Sequence, residues 1–110
     1  MTFIDTQQHI RFSSDRLVKA NLVENNHFFC DLYCLEPDQE QKIHTHAGAT
    51  KFYYVVSGTG LFTVGDRIES RGPGSLVLAD PGEPHGVLNA SAQRLVLLVV
   101  MAPNPNRPEK

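Results

Sequence analysis

Three histidines carry the most visible chemistry in this sequence. His44 and His46 are separated by one residue, and if residues 43–45 are extended, their side chains share a face with Cα atoms roughly 7 Å apart. His85 follows a proline-glycine turn and supplies a third imidazole. Imidazole binds divalent transition metals well, so the three residues predict a metal site. The carboxylate that often completes such a site is missing, and Lys51 stands where it would be expected.

Lys51 leaves three interpretations of this site. Its side chain points away and leaves three histidines with open positions for water and substrate, or it binds an anionic group of the substrate, or it prevents tight metal binding. An ammonium aimed at a dication is repelled unless it deprotonates or moves aside. Tyr53 shares the strand face of Lys51, so its phenol either donates a proton in the pocket or packs in the core. Lys51 and Tyr53 are therefore the candidate catalytic residues.

Length and composition narrow the class of protein. The chain has 110 residues, enough for one domain with its own core and too few for two. The net charge is −2 with no basic stripe, so nucleic acid is not an expected partner. The longest apolar run, 95–102, is too short to span a bilayer, and we expect a soluble, cytoplasmic protein. Cys30 and Cys34 would lie roughly 13 Å apart on one strand, too far for a disulfide, so two reduced thiols are expected.

The hydrophobic pattern predicts an all-β fold. Short runs of β-branched, aromatic and leucine residues alternate with Gly, Pro and Asp at roughly ten-residue intervals, which is typical of an antiparallel sandwich or barrel. Gly65-Asp66 fits a two-residue hairpin, and 80–83 fits a type II turn that leads into His85. Asn89 shares a face with His85 and either orients a ligand or caps the strand end. The predicted strands are 28–35, 39–44, 51–57, 60–64, 67–70, 75–79, 85–89 and 95–101, with weaker ones at 11–12 and 17–20.

Two segments resemble the two motifs of small single-domain cupins, the cupin 2 conserved barrel family. The first motif is Gly, five residues, His-X-His, three or four residues, Glu, six residues, Gly; residues 38–58 fit it, with Asp38 and Lys51 replacing the first Gly and the Glu. The second motif is Gly, five residues, Pro-X-Gly, two residues, His, three residues, Asn; residues 74–89 match it except at Asp80. The resemblance covers roughly residues 25–102.

Some shorter stretches are also similar to compact bacterial cupins that carry antibiotic-synthesis names. These are 31–33, 41–42 and 84–87. The resemblance implies a double-stranded β-helix, that is a jelly-roll barrel, with a metal in its mouth bound by His44, His46 and His85. It divides the chain into an N-terminal arm with short strands (1–24), the barrel (25–102) and an extended or disordered tail (103–110).

The resemblance also implies a cofactor and an assembly. The cofactor is a divalent transition metal, with Fe, Zn, Ni, Mn and Cu not distinguished. Cupins are commonly dimers, often through an edge strand or a swapped N-terminal segment, so a homodimer is expected. Apolar residues before the barrel would supply its surface: Phe3, Ile4, Ile10, Phe12, Leu17 and Val18.

Two classes of function stay open. The first is a metal-dependent dioxygenase, isomerase or lyase acting on a small anionic metabolite, because three neutral imidazoles leave the full +2 charge of the ion to attract anionic oxygen. The second is a non-catalytic module that holds a small ligand or a metal. Three-histidine cupins include oxygenases that use ferrous iron, and related small cupins act on sugar acids and keto acids. A second titratable group on the pocket face would favour the enzyme, and Lys51 and Tyr53 are the candidates.

Overall fold

The structure is a computed structural model that describes residues 1–107. It consists of nine strands and one short 3-10 helix, Thr6–His9. The strands are β1 (Val18–Asn25), β2 (Phe28–Leu35), β3 (Glu40–His44), β4 (Thr50–Ser57), β5 (Gly60–Val64), β6 (Arg67–Arg71), β7 (Leu76–Ala79), β8 (His85–Leu88) and β9 (Leu95–Ala102).

The strands form two antiparallel sheets. One has five strands in the order β1-β2-β9-β4-β7, and the other has four in the order β3-β8-β5-β6. The sequences of β2 and β9 are nearly continuous apolar runs, because both strands carry apolar side chains on both faces. The main core lies between the sheets and contains Phe29, Tyr33, Leu35, Ala49, Tyr53, Val55, Phe62, Val87, Leu95, Leu97, Val99 and Met101. This arrangement confirms the all-β double-stranded β-helix.

A second apolar cluster lies on the outer face of the five-stranded sheet. It consists of Ala20, Leu32, Cys34 and Val96. Ile10 and Phe12 pack against it. The weak strand predicted at 11–12 does not form, since this segment contributes side chains to the cluster rather than backbone pairs to a sheet. The strand predicted at 17–20 is longer and reaches Asn25, because β1 pairs with β2 along its length.

The eight principal predicted strands all form, and both predicted turns are present. Val64 pairs with Arg67 across the hairpin, with Gly65 at φ 60°. In the turn before β8, the backbone N–H of Glu83 donates to the carbonyl of Asp80 at 3.0 Å, and Gly82 has φ 83°. Both cysteines are free, as expected.

The segment after β9 packs against the turn between β1 and β2. Asn104 is buried, and its Nδ2 donates to the carbonyls of Asn25 and Phe28 at 3.0 and 3.3 Å. Arg107 pairs with Glu24 at 3.1 Å. Residues 108–110 of the predicted tail lie outside the described residues. The division into arm, barrel and tail stays a prediction. Strand β1 (Val18–Asn25) crosses the predicted boundary between the arm (1–24) and the barrel (25–102).

In the described part of the chain, none of the helical structure has the length or apolar character needed to cross a bilayer. The one helical segment has four residues and presents none of them to the core.

Candidate metal centre

Strand pairing brings the three histidines together. His44 is the last residue of β3 and pairs directly with His85, the first residue of β8. His46 lies two residues further on, in the loop to β4. Gly86 allows the close approach of the two strands, because a Cβ there would lie only 2.8 Å from the carbonyl oxygen of Gln41. The centroids of the imidazole rings are 4.3 Å apart for His44 and His85, and 4.8 Å apart for His44 and His46.

The ring nitrogens are oriented as metal ligands require. One potential ligand atom from each histidine lies within 4.8 Å of the others. The Nδ1 atoms of His44 and His85 lie 2.8 and 3.0 Å from the carbonyl oxygens of Lys42 and Glu83. Because a carbonyl only accepts, each Nδ1 carries the proton and each Nε2 presents a lone pair.

The Nε2 atom of His85 tests whether the site fits a metal. It is buried and has no hydrogen-bond partner among the described residues. Leaving a buried polar atom unpaired costs about 1–3 kcal/mol, so native structures rarely do it without a reason. A metal ion shared with His44 and His46 would satisfy this atom. The residues present therefore fit a divalent metal.

Burial also keeps the three histidines in the neutral form that binds metal. It is the largest cause that lowers the pKa of His85, to about 4, and the Lys51 charge acts in the same direction. Burial lowers the pKa values of His44 and His46 in the same direction. A neutral imidazole retains the lone pair that a metal needs, so the ligands are ready near pH 7.

Lys51 lies inside the barrel. Its side chain is 2 % exposed, and Nζ donates to Oε1 of Gln41 at 3.1 Å. The same nitrogen lies 5.0 and 5.6 Å from the ring centroids of Tyr53 and Tyr33. Burial is the largest cause that lowers the pKa of Lys51, to about 7, with the Lys19 charge acting in the same direction. The neutral amine is therefore populated at physiological pH.

Tyr53 lies in the core and also belongs to this polar group. It is fully buried, with its ring centroid 5.3 Å from that of Phe62 and 6.3 Å from that of His85. Its hydroxyl donates to Oε1 of Gln41 at 2.5 Å. Burial raises its pKa well above the usual range, so the hydroxyl stays protonated.

Sequence reasoning missed Gln41 as a site residue. Its Oε1 accepts from both Lys51 and Tyr53, and its Nε2 donates to the hydroxyl of Tyr33 at 3.0 Å. In the sequence, Gln41 is identifiable only as a residue of a predicted strand, three positions before His44. That position does not reveal which buried side chains it contacts. Gln41 connects the residues around the amine of Lys51 into one hydrogen-bonded group.

A family comparison decides the classification. The model of a family described as "Cupin domain" matches residues 31–101. The chain belongs to the cupin family. It is similar to the TT1209 protein of Thermus thermophilus, with 37% identity over 96% of this chain and 100% of that one, at a TM-score of 0.92.

Two more distant structures support the fold of this cupin. An uncharacterized conserved protein with a double-stranded β-helix domain from Klebsiella pneumoniae is 22% identical over 94% of this chain and 90% of that one, with a TM-score of 0.86. KdgF from a Halomonas species is 13% identical over 94% of each chain, with a TM-score of 0.82. The comparison with curated sequences finds no match.

The backbone conformation explains how this cupin accommodates Asp38 in the first motif. Asp38, which replaces the first motif glycine, has φ 71°, a left-handed conformation that Asp tolerates better than most residues. Gly58, at the end of the first motif, has φ 83°. The Asn89 side chain of the second motif is buried and donates to the carbonyls of Leu35 and Gln93 at 3.1 and 2.8 Å. Of the two roles open for Asn89, its contacts thus support holding the strand end.

Two cavities lie near the strands of the cupin barrel. One of about 370 Å³ has His46 in its wall, together with Asn26, Ala47, Gly48, Ala49, Pro103, Asn104, Pro105 and Arg107. The other, of about 500 Å³, is lined by residues of β5, β6 and β7 and by none of the three histidines. The smaller cavity is the better candidate for a ligand site, because His46, one of the three clustered histidines, forms part of its wall.

Proposed function

We propose that this cupin binds a divalent transition metal through His44, His46 and His85 and acts on a small anionic metabolite. The buried, unpaired Nε2 of His85 carries the proposal, because the neighbouring imidazoles leave a metal ion as its natural partner. When bound, the metal polarises an oxygen ligand as a Lewis acid. Iron, zinc, nickel, manganese and copper all suit this donor set.

Among the three interpretations of Lys51, we favour the one in which the amine is held away from the metal. The amine donates a hydrogen bond to Gln41 and lies over the ring of Tyr53. These two contacts favour a position of the amine away from the histidine cluster. An amine with a pKa near 7 suits proton transfer, because both protonation states are populated at working pH. We propose Lys51 as the group that takes or returns a proton in an isomerase or lyase reaction. Tyr53, which shares the Gln41 acceptor, would position it or supply the proton.

A non-catalytic barrel that holds a small ligand or metal is the second candidate. The burial of both Lys51 and Tyr53 favours it, since a catalytic group needs access to its substrate. Turnover separates the two candidates. Oxygen uptake by the iron-loaded protein, or conversion of a panel of small acids by the zinc- or nickel-loaded protein, would support the enzyme.

Elemental analysis of gently purified, untagged protein tests the metal centre. We expect about one transition-metal ion per chain, as three protein ligands with open positions can hold. A His44→Ala, His46→Ala double variant should lose it, because one imidazole cannot retain the ion. A His9→Ala, His27→Ala variant is the matched control, since neither histidine belongs to the cluster. Absence of metal from the wild-type protein after reconstitution with excess ion would contradict the proposal.

We also propose that the protein is a homodimer through the outer face of the five-stranded sheet. Leu76 pairs with Tyr54, and Tyr54 pairs with Leu98, so the three side chains form one row on that face. Leu76 and Tyr54 are 60% and 38% exposed. The row continues to Leu32 in the outer cluster, against which Ile10 and Phe12 pack. An equivalent face of a second copy would cover the remainder.

Light scattering at micromolar concentration tests this assembly. We expect twice the chain mass of 12.2 kDa. Leu76→Glu should give a monomer, because it places a charge at the exposed end of the apolar row. Ile68→Glu is the control, since Ile68 is similarly exposed, at 64%, but lies on β6 of the other sheet. A wild-type monomer, or dissociation by Ile68→Glu alone, would contradict this interface.

A further inference from the structure

The segment that follows β9 forms part of the wall of the cavity beside His46. Residues 103–105 and Arg107 line this cavity together with His46 and the loop residues 47–49. Its volume of about 370 Å³ lies within the range of small-molecule sites, roughly 300–1,000 Å³. Among the described residues that line it, Arg107 is the one with a permanent charge. One cavity wall therefore contains both a histidine of the cluster and a guanidinium.

A chain of contacts holds Arg107 at this wall. Its Nε pairs with Oε2 of Glu24, near the end of β1, at 3.1 Å. The same oxygen accepts a hydrogen bond from Nδ2 of Asn104 at 3.1 Å, and Asn104 is buried. Oδ1 of Asn104 in turn accepts from the backbone N–H of Asn106 at 2.9 Å. These contacts attach the segment to the end of β1 and restrict the orientation of the guanidinium.

The guanidinium can bind a second carboxylate while it contacts Glu24. It carries five N–H donors on three nitrogens, and the ion pair with Glu24 is made by Nε. The donors on the two Nη atoms match the two oxygens of a carboxylate. Most of the other residues in the wall are alanine, glycine and proline, which suit a short apolar body between two polar ends.

We propose that Arg107 binds one carboxylate of a small organic acid whose other end reaches the metal at the three-histidine cluster. This inference rests on the proposed function, and it assigns the substrate class as short acids with an anionic group at each end. His46 and Arg107 lie in one wall, so a single molecule in this cavity can reach both. The segment 103–107 then determines specificity, because it supplies the charge that selects the second carboxylate.

Isothermal titration calorimetry with succinate at pH 7 tests the Arg107 site. The full chain is measured after chelator treatment and after loading with Co²⁺, whose visible absorption reports the metal centre separately. Arg107→Gln should weaken succinate binding about tenfold, as expected for the loss of one charge-assisted hydrogen bond. Arg94→Gln is the matched control. Arg94 also pairs with a glutamate, Glu36, through Nε at 2.8 Å and is similarly exposed, but it lines neither of the two cavities.

Glu24→Gln separates a ligand-binding role of Arg107 from a purely structural one. The glutamine keeps an oxygen that can accept from Asn104, but it removes the carboxylate that competes for the guanidinium. If Arg107 binds the ligand, this variant should bind succinate about threefold more tightly, because an exposed ion pair of this kind contributes up to about 1 kcal/mol. If Arg107 only anchors the segment, Glu24→Gln and Arg107→Gln should lose binding together.

Each outcome decides the proposal. Weaker binding in Arg107→Gln, with Arg94→Gln unchanged and a Co²⁺ spectrum that responds to succinate, supports it. Equal affinity of Arg107→Gln and wild type overturns it, as does a wild-type protein that binds no succinate. Parallel losses in Glu24→Gln and Arg107→Gln, or binding that leaves the Co²⁺ spectrum unchanged, also overturn it. A protein that gives no Co²⁺ spectrum refutes the metal centre and the proposal with it, whereas a normal spectrum with no effect of Arg107→Gln refutes the Arg107 site alone.

Discussion

Replacing Lys51 with glutamate is expected to raise the affinity for a divalent metal about 100-fold, because it removes the charge of the protonated amine and places a carboxylate at the motif position that usually supplies an anionic ligand. At an effective dielectric constant of about 20, a unit charge about 5 Å from a dication contributes several kcal/mol, so this estimate is conservative. The first cupin motif has a glutamate at this position. The carboxylate would complete the donor set that His44, His46 and His85 begin.

Competition with a chromophoric chelator measures this affinity for Zn²⁺ or Co²⁺. Lys51→Gln is the matched control, since it removes the positive charge without adding a negative one, and it should give an intermediate affinity. The same two variants should lose any turnover that depends on proton transfer by Lys51. Unchanged metal affinity in Lys51→Glu would show that residue 51 does not face the ion and would remove Lys51 from the site.

Gly58→Ala is expected to destabilise the fold by about 3 kcal/mol, through two additive causes. Gly58 has φ 83°, a conformation that costs an L-residue about 1 kcal/mol or more. In addition, a Cβ at this position would lie 2.3 Å from the carbonyl oxygen of Arg94 and 3.0 Å from the Cα of Leu95. Both contacts are with backbone at the start of β9, which lies in the middle of its sheet and cannot move aside without loss of pairing.

Two other glycines separate these causes. Gly74 has φ 89° with no atom within 4 Å of an added Cβ, so Gly74→Ala should cost about 1 kcal/mol from conformation alone. Gly72 has open space and no left-handed φ, so Gly72→Ala should change stability by less than about 0.5 kcal/mol. Urea denaturation gives the three free energies of unfolding. A Gly58→Ala variant no less stable than Gly74→Ala would show that the approach of β9 is not tight at this point.

The strands were predictable from the sequence because their signals are local. Alternation, β-branched and aromatic residues, and turns at Gly65-Asp66 and 80–83 each depend on a few neighbouring residues. The length of β1 was not predictable, since residues after Ala20 are held by pairing with β2 rather than by their own pattern. The segment at Arg11 and Phe12 does not form a strand for a different reason, because the side chain of Phe12 packs on the outer cluster and the segment makes no strand pairs.

The candidate site was predictable only in part. The types and spacing of His44, His46 and His85 identified them, because few arrangements other than a metal site use such a set. Gln41 could not be identified, since its importance comes from partners 8 and 12 positions away, Tyr33 and Tyr53. Polar residues on a strand are usually solvated, and only its burial between the sheets distinguishes Gln41.

The all-β fold, the family, the turn that leads to His85 and the three candidate metal ligands could be derived from the sequence, because each follows from residue types at short, fixed spacing. Tertiary structure alone decided that the three imidazoles converge, since this requires the pairing of His44 with His85 across two strands 41 positions apart in the chain. It also decided the state of Lys51. Burial between the sheets, beside Gln41 and two tyrosine rings, removes the amine from water and lowers its pKa to about 7, and no local pattern encodes that environment.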